Sequence, residues 1–379
     1  MNTKTQAFIS KLTHRRPIST IVPLIICLAA SAWTQSFAGT VTTFATGLNN
    51  PRGLKFGPDG YLYVAEGGTG GSNSTADCCD QVIIGIGPYT GSVTGSRVSK
   101  IDRNGLVTTA VDNLPSNQTS PDSGSLISGA ADVAFVGNTM YILLGGAGCS
   151  HGVPQVPGMP NGVLRVNADN TTSLITNLSA FLMANPVKNP NPPDFEPDGT
   201  WYSMLAARGA NSQGYLYAVE PNHGELDRIT LDGHTSRVVD ISASQGHIVP
   251  TAIAFDGVNF FVGNLGIFPI VDGTQYILKI SPAGNVTTFA TGFTTIVGLA
   301  FDSHGKLYVL ENTTGGNPFP TPGTGKILRL HSDGTSDEVA TGLNLPTAMT
   351  FGTDGNIYVS SWGFGGALGM GEIDKVTLP

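Results

Sequence analysis

A chain of 379 residues with 50 glycines, 24 prolines and only 12% charged side chains supplies turns and short strands in quantity. It has little with which to cover long surface helices. The formal net charge of −8 argues against nucleic acid as a partner, because such affinity comes mainly from phosphate neutralisation by Lys and Arg.

The chain opens on a cationic segment (Lys4, Lys11, Arg15, Arg16), an apolar stretch from Ile18 to Ala32 and a small-residue exit at Ser36-Phe37-Ala38. That is the pattern of a secretory signal peptide, with cleavage after Ala38. Pro23 and the interspersed Ser and Thr leave the apolar run short of the ~20 residues that a spanning helix needs. A secreted or periplasmic destination without stable membrane insertion is therefore expected for residues 39–379. Loss of the four leader cations takes the formal charge from −8 to −12. Cys78, Cys79 and Cys149 remain, and in an oxidising compartment one disulfide is expected, Cys149 with Cys78 or Cys79.

A strand begins at once with VTTFATG at 41–47, and the same seven residues recur at 286–292. Self-similarity of this kind signals a repeat architecture. Each unit opens on a first strand (GLKF at 53, DVAF at 132, AIAF at 252, GLAF at 298, AMTF at 348), followed by a tight turn. The third unit is the faintest, its first strand lying within Trp201–Ala207. A second strand carries an aromatic anchor at Tyr63, Tyr141, Tyr217, Phe261, Tyr308 and Tyr358, flanked by alternating apolar residues. A third repeats a basic-aliphatic pair: Lys100-Ile101, Arg165-Val166, Arg228-Ile229, Lys279-Ile280, Arg329-Leu330 and Lys375-Val376. A fourth strand follows the first five pairs, but the chain ends at Pro379 soon after the sixth. The spare copy is the strand at 41. The pattern predicts an all-β, six-bladed propeller, with the N-terminal strand completing the last blade and removing two exposed sheet edges. Almost no helix is expected after the leader.

In this strand order the connections from strand two to three, and from strand four to the next unit, emerge on one face. The long insertions 67–96, 113–130, 145–162, 177–200, 312–325 and 362–371 all belong there, so function is expected on that face. It would hold a small-molecule or protein ligand, the protein itself being a monomer. Three residues past each anchor lie Glu66, Leu144, Glu220, Asn264, Glu311 and Ser361, equivalent positions around one mouth. Glu66, Glu220, Asn264 and Glu311 together would suit a hard cation such as Ca²⁺. The rival reading makes each Glu a cap for loop amides of its own blade. His151, His223, His247 and Trp362 are further candidates on the same face; His223 follows Glu220 closely enough for acid-base work. No HExxH, GxSxG, P-loop or dinucleotide fingerprint occurs.

The run VTTFATGLNNPRGLKFGPDGYLYVAEGGTGG (41–71), the insert GPYTGSVTGSRVSKID (87–102) and the loop before LYAVEPNHGELDRI (216–229) resemble the ScyD/ScyE family over most of the mature chain. The resemblance implies an exported propeller of the NHL and SMP-30 type, from a family named for its association with biosynthesis of the pigment scytonemin. It transfers no catalytic residue. The NPxGLxFxPDGxLYVxE rhythm is also similar to the gluconolactonase and SMP-30 group, which implies a divalent metal held by Glu, Asn and Asp at the mouth. Glu66 and Asn264 would fill such roles, whereas Leu144 and the Glu311 or Ser361 in place of a late Asp depart from the pattern. Quinone-dependent sugar dehydrogenases share the expected fold, but their His/Arg set is not matched. The reading favoured is a ligand-binding or scaffold propeller, with a Ca²⁺-dependent lactonase as the alternative.

Overall fold

The computed structural model describes residues 38–77, 79–119, 126–153, 159–191, 193, 195–208 and 213–379. The expected leader, up to Phe37, lies outside the described residues, as does Cys78. Among the described residues no helix is long and apolar enough to cross a membrane.

Six antiparallel sheets follow one another along the chain, five in simple meander order. In the sixth, Thr40–Leu48 lies outside Gly371–Thr377, with Val41 opposite Val376 and Thr42 opposite Lys375. The first strand of the chain thus supplies the outer strand of the last blade, as the missing fourth copy predicts, and the ring closes on itself. The six innermost strands are Pro51–Phe56, Ala130–Val136, Ser203–Arg208, Pro250–Phe255, Ile296–Phe301 and Ala348–Phe351. They pack in succession around an axis, the last meeting the first.

A four-stranded sheet has two faces to bury, so the apolar residues fall into layers between blades. The layer of Leu54, Val64 and Ile101 from blade 1 with Ala45, Tyr358 and Ile373 from blade 6 closes the ring. Each fully buried Leu or Ile in such a layer contributes about 1.5–3 kcal/mol. The two repeated sequence signals meet here. Tyr63 and Phe135 contact edge-to-face across blades 1 and 2 (5.1 Å), as do Tyr308 and Phe351 across blades 5 and 6 (5.1 Å). The basic residue of the third strand reaches the turn aspartate: Lys375 Nζ lies 2.7 Å from Asp354 Oδ2, which also accepts the Tyr358 hydroxyl at 3.1 Å. Burial opposes ionisation of Asp354, but hydrogen bonds from Lys375, Asn356 and Tyr358 outweigh it and bring the carboxyl down to about 2.

One expectation needs correction. Blade 1 does not end where its sequence repeat ends. Its third and fourth strands run on as a ribbon, Thr90–Ile101 against Val107–Gln118, with Thr90 opposite Gln118 and bulges between Ser92 and Gly95 and between Ser96 and Ser99. Part of what the pattern reads as loop is therefore strand. As expected, α-helix among the described residues is confined to two short segments, Leu178–Ala184 and Ser242–Gln245. The first exists because Asn177 Oδ1 accepts the Ala180 amide at 2.8 Å, and because Leu178 and Leu182 bury one face.

Candidate functional face

Each second strand ends at the long-loop face, and its last residue sits beside the start of the third strand. In blade 1 Glu66 pairs with Arg97 across the ladder. Its Oε1 accepts Arg97 Nε at 2.7 Å and the Ser99 hydroxyl, and its Oε2 accepts the Asn49 amide at 2.6 Å. In blade 5 Glu311 takes the same place opposite Lys326. Its Oε1 accepts the Thr294 amide, while Oε2 has Lys326 Nζ at 3.5 Å. Burial raises the Glu311 carboxyl above its ordinary range, against the pull of the Thr294 amide and of Lys326. Asn264 accepts the Tyr276 amide at 3.0 Å and donates to Ile248 O at 3.0 Å.

Blade 3 differs, because Glu220 faces another acid, Glu225. Glu220 is satisfied by the amides of Thr200 (2.8 Å), Asn222 (3.1 Å), His223 and Gly224. Glu225 receives Arg237 from the outer strand, Nε to Oε2 at 2.6 Å. Asp227, two residues along the same strand and fully buried, has no donor at either oxygen. Burial and the neighbouring Glu225 charge push Asp227 well above the usual carboxylate range, and burial raises Glu225 as well.

The structure does not bring Glu66, Glu220, Asn264 and Glu311 together. Each is buried and engaged with loop groups of its own blade or of the loop leading into it. Among the described residues no three His, Cys, Asp or Glu side chains are grouped so as to hold one metal ion.

The histidines belong to a second arrangement that joins the insertions of blades 1, 2 and 3. Cys79 and Cys149 form a disulfide, which selects Cys79 from the two expected partners. Just past it, His151 is wholly buried, with Nε2 at 3.5 Å from Glu196 Oε2 and its ring 4.8 Å from that of Tyr89. The Tyr89 hydroxyl donates to the other Glu196 oxygen at 2.8 Å. Ser150 donates its amide (2.7 Å) and its hydroxyl to Asp198. His223 places Nε2 at 3.0 Å from the Glu196 carbonyl and stacks on Phe195, and His247 Nδ1 lies 3.1 Å from Asn222 O. Sequence reasoning found the histidines but missed Tyr89, Glu196 and Asp198, which lie in different insertions and follow no period. Trp362 lies in the blade 6 insertion, half-buried at positive φ, with Glu372 as the partner of its indole.

The face also carries exposed apolar side chains. Ile83 and Ile84 of blade 1 project from it, as do Ile267, Phe268 and Val271 of blade 4, Phe319 of blade 5, and Leu368 and Met370 of blade 6, all exposed. Phe268 and Phe319 approach to 6.0 Å between centroids. The Ile270 amide donates to Pro318 O at 2.7 Å, and the Gly316 amide to Asp272 at 2.7 Å, so these two loops brace each other.

Beneath this face the axis is crossed by polar contacts. Burial pushes the Tyr202 hydroxyl up to about 12, so it stays protonated, and it donates to Thr347 O at 2.9 Å. Asp132 reaches from blade 2 to the Met204 amide of blade 3 at 2.8 Å. The residue beside it must be glycine, since a Cβ on Gly53 would come within 1.9 Å of Asp132 Oδ1. Burial raises Asp132 to about 6, despite the nearby Lys55 charge and two main-chain amides.

No protein-family model and no curated protein matches the sequence. Solved structures do match in fold. A gluconolactonase of Xanthomonas campestris superposes with TM-score 0.51 at 13% identity, over 90% of each chain. A protein of Thermus thermophilus described as a putative oxidoreductase (glucose dehydrogenase) gives 0.52 at 16%, over 89% of this chain and all of that one. A calcium-binding regucalcin of Agrobacterium tumefaciens gives 0.50 at 13%, over 91% and 96%. The six-bladed β-propeller fold is thereby shared.

Proposed function

We propose that the chain is an exported binding propeller of the ScyD/ScyE type, which takes an apolar ligand or protein segment on the long-loop face at blades 4 to 6. The observation that carries this is the exposed set Ile267, Phe268, Val271, Phe319, Leu368 and Met370, contributed by consecutive insertions. Large apolar side chains gathered on one surface of a water-soluble ring mark a contact site, since leaving them in water has a cost that a partner removes. The mutual bracing of the blade 4 and blade 5 loops lowers the ordering cost of such a contact. The mouth carboxylates support the same reading, being engaged with amides and cations of their own surroundings.

One observation favours a second reading, a Ca²⁺-dependent lactonase: Glu311 Oε2 has no hydrogen bond, only Lys326 Nζ at 3.5 Å. That oxygen would be the place for one ligand of a divalent ion, whose part would be to polarise a lactone carbonyl. The two readings separate by metal analysis of the purified protein, followed by a screen of lactone and phosphotriester substrates. Metal-free protein without turnover upholds the binding reading. Turnover lost in Glu311→Gln overturns it.

A further inference from the structure

The opposite end of the axis is built differently. Near the long-loop end Tyr202 and Thr347 join blades 3 and 6 across the axis. Below them the inner strands leave a well of about 530 Å³ that opens on the short-turn face. That volume lies within the range of small-molecule sites, roughly 300–1,000 Å³.

The wall has a definite chemistry. Phe56, Phe135, Phe255, Phe301 and Phe351 occupy one equivalent position in five blades, next to the residue opposite the second-strand anchor. In blade 3 that position is Ala206, paired with Leu216 beside the Leu205–Tyr217 pair. The missing sixth phenyl leaves space on one side of the well. Lys55 also lines it, half-buried. Among the described residues no carboxylate comes within ion-pair distance of its ammonium. The nearest acid that feels its charge, Asp132, has its oxygens on the amides of Val133 and Met204 at 2.8 Å each. The phenyls also pack on aromatics between the blades (Phe56 on Tyr358, Phe135 on Tyr63, Phe301 on Phe261, Phe351 on Tyr308), so the well is of mixed polar and aromatic character, and a lining cation without a paired carboxylate makes it a partner for an anion with a flat apolar body.

We propose that this well is a second binding site, on the face opposite the long loops, for a small aromatic carboxylate, with Lys55 holding the carboxylate and the phenylalanine ring enclosing the apolar body. The site stands independently of the long-loop face, and its occupant enters between short turns that need not move.

The test is isothermal titration of the purified mature protein with 2-naphthoate and, separately, with the neutral 2-naphthamide. The parent binds naphthoate with 1:1 stoichiometry. Lys55→Met weakens naphthoate by about tenfold, the worth of one charge-assisted contact, and leaves naphthamide unchanged. Ala206→Phe supplies the sixth ring and abolishes binding of both, while melting at or above the parent temperature, which shows that the fold is intact. Phe268→Ser, on the other face, changes nothing. Absence of naphthoate binding to the parent overturns the proposal. So does binding that survives Ala206→Phe, or that is lost in Phe268→Ser.

Discussion

Blades 1 to 3 and blades 4 to 6 place insertions of the same topological kind on one face and use them in different ways. In the first half the insertions are bolted together by the Cys79–Cys149 disulfide and by the buried run Tyr89, Glu196, His151, with Ser150 on Asp198. In the second half the described loops brace through a few main-chain bonds and leave Phe268, Phe319, Leu368 and Met370 exposed. The polar side chains that look most like chemistry are thus buried and occupied, and the surface free for a partner is the apolar one. Chemically suggestive residues on a propeller face can serve the stability of long insertions. A site there has to be argued from what remains accessible.

The comparison breaks most strongly at the bolt. Cys149→Ser opens a loop of sequence separation 70 and is expected to cost about 4 kcal/mol, read as a fall in the denaturant midpoint under oxidising conditions. Because the apolar half lies in other blades, Phe268 and Phe319 stay as exposed in that variant as in the parent, measured by carbene footprinting. A rise in labelling there contradicts the division into two halves.

The next effect is at Asp132. Its carboxyl, raised to about 6 from the ordinary 3.8, gives stability that is fully present below the unfolded value and lost as pH rises through the folded one. Relative to Asp132→Asn, the parent therefore loses about 2 kcal/mol between pH 4 and pH 7. Denaturant midpoints at the two pH values measure it, and parallel curves refute it. Glu66→Gln leaves Arg97 with a neutral partner, and with Arg97 part-exposed the cost is about 2 kcal/mol. In blade 3 the sign reverses: Asp227→Asn removes one of two buried acids and gives Glu225 a donor. The gain is about 1–2 kcal/mol at pH 8 and shrinks as falling pH protonates the two acids, whose carboxyls burial raises. Smallest in stability is Phe268→Ser with Phe319→Ser, within about 0.5 kcal/mol of the parent, although it removes the contact surface on which the binding reading rests.

Much of this architecture is legible in the chain, because each blade repeats one set of physical demands. An aromatic must fill the gap to the next blade, the last sheet must find an outer strand, and in blades 1 and 6 a basic residue reaches the turn aspartate. The ring closure of Val41 on Val376 follows from that count alone. The extension of blade 1 does not, since Gly91, Gly95 and Pro115 interrupt the strand signal where bulges absorb them. The helix at Leu178 has a legible cap in Asn177, but the run before Trp201 follows no repeat. Counting aligns the mouth positions correctly, yet alignment of Cα positions fixes no side-chain direction. Glu66 and Glu311 turn to a cation across the ladder and to loop amides, and nothing in the spacing distinguishes that from convergence. The phenylalanine series is visible as a strand ending, while its role around an open well depends on which end of the axis is obstructed.

That the mouth carboxylates serve their own blades and leave the long-loop face to bind is tested most directly by one melting experiment. It compares the parent with Glu311→Gln, each with and without millimolar Ca²⁺ after chelation. Ca²⁺ is expected to move neither melting temperature by more than about 1 °C. A rise of about 5 °C or more in the parent, abolished in Glu311→Gln, is the signature of an ion bound at the mouth and contradicts that assignment.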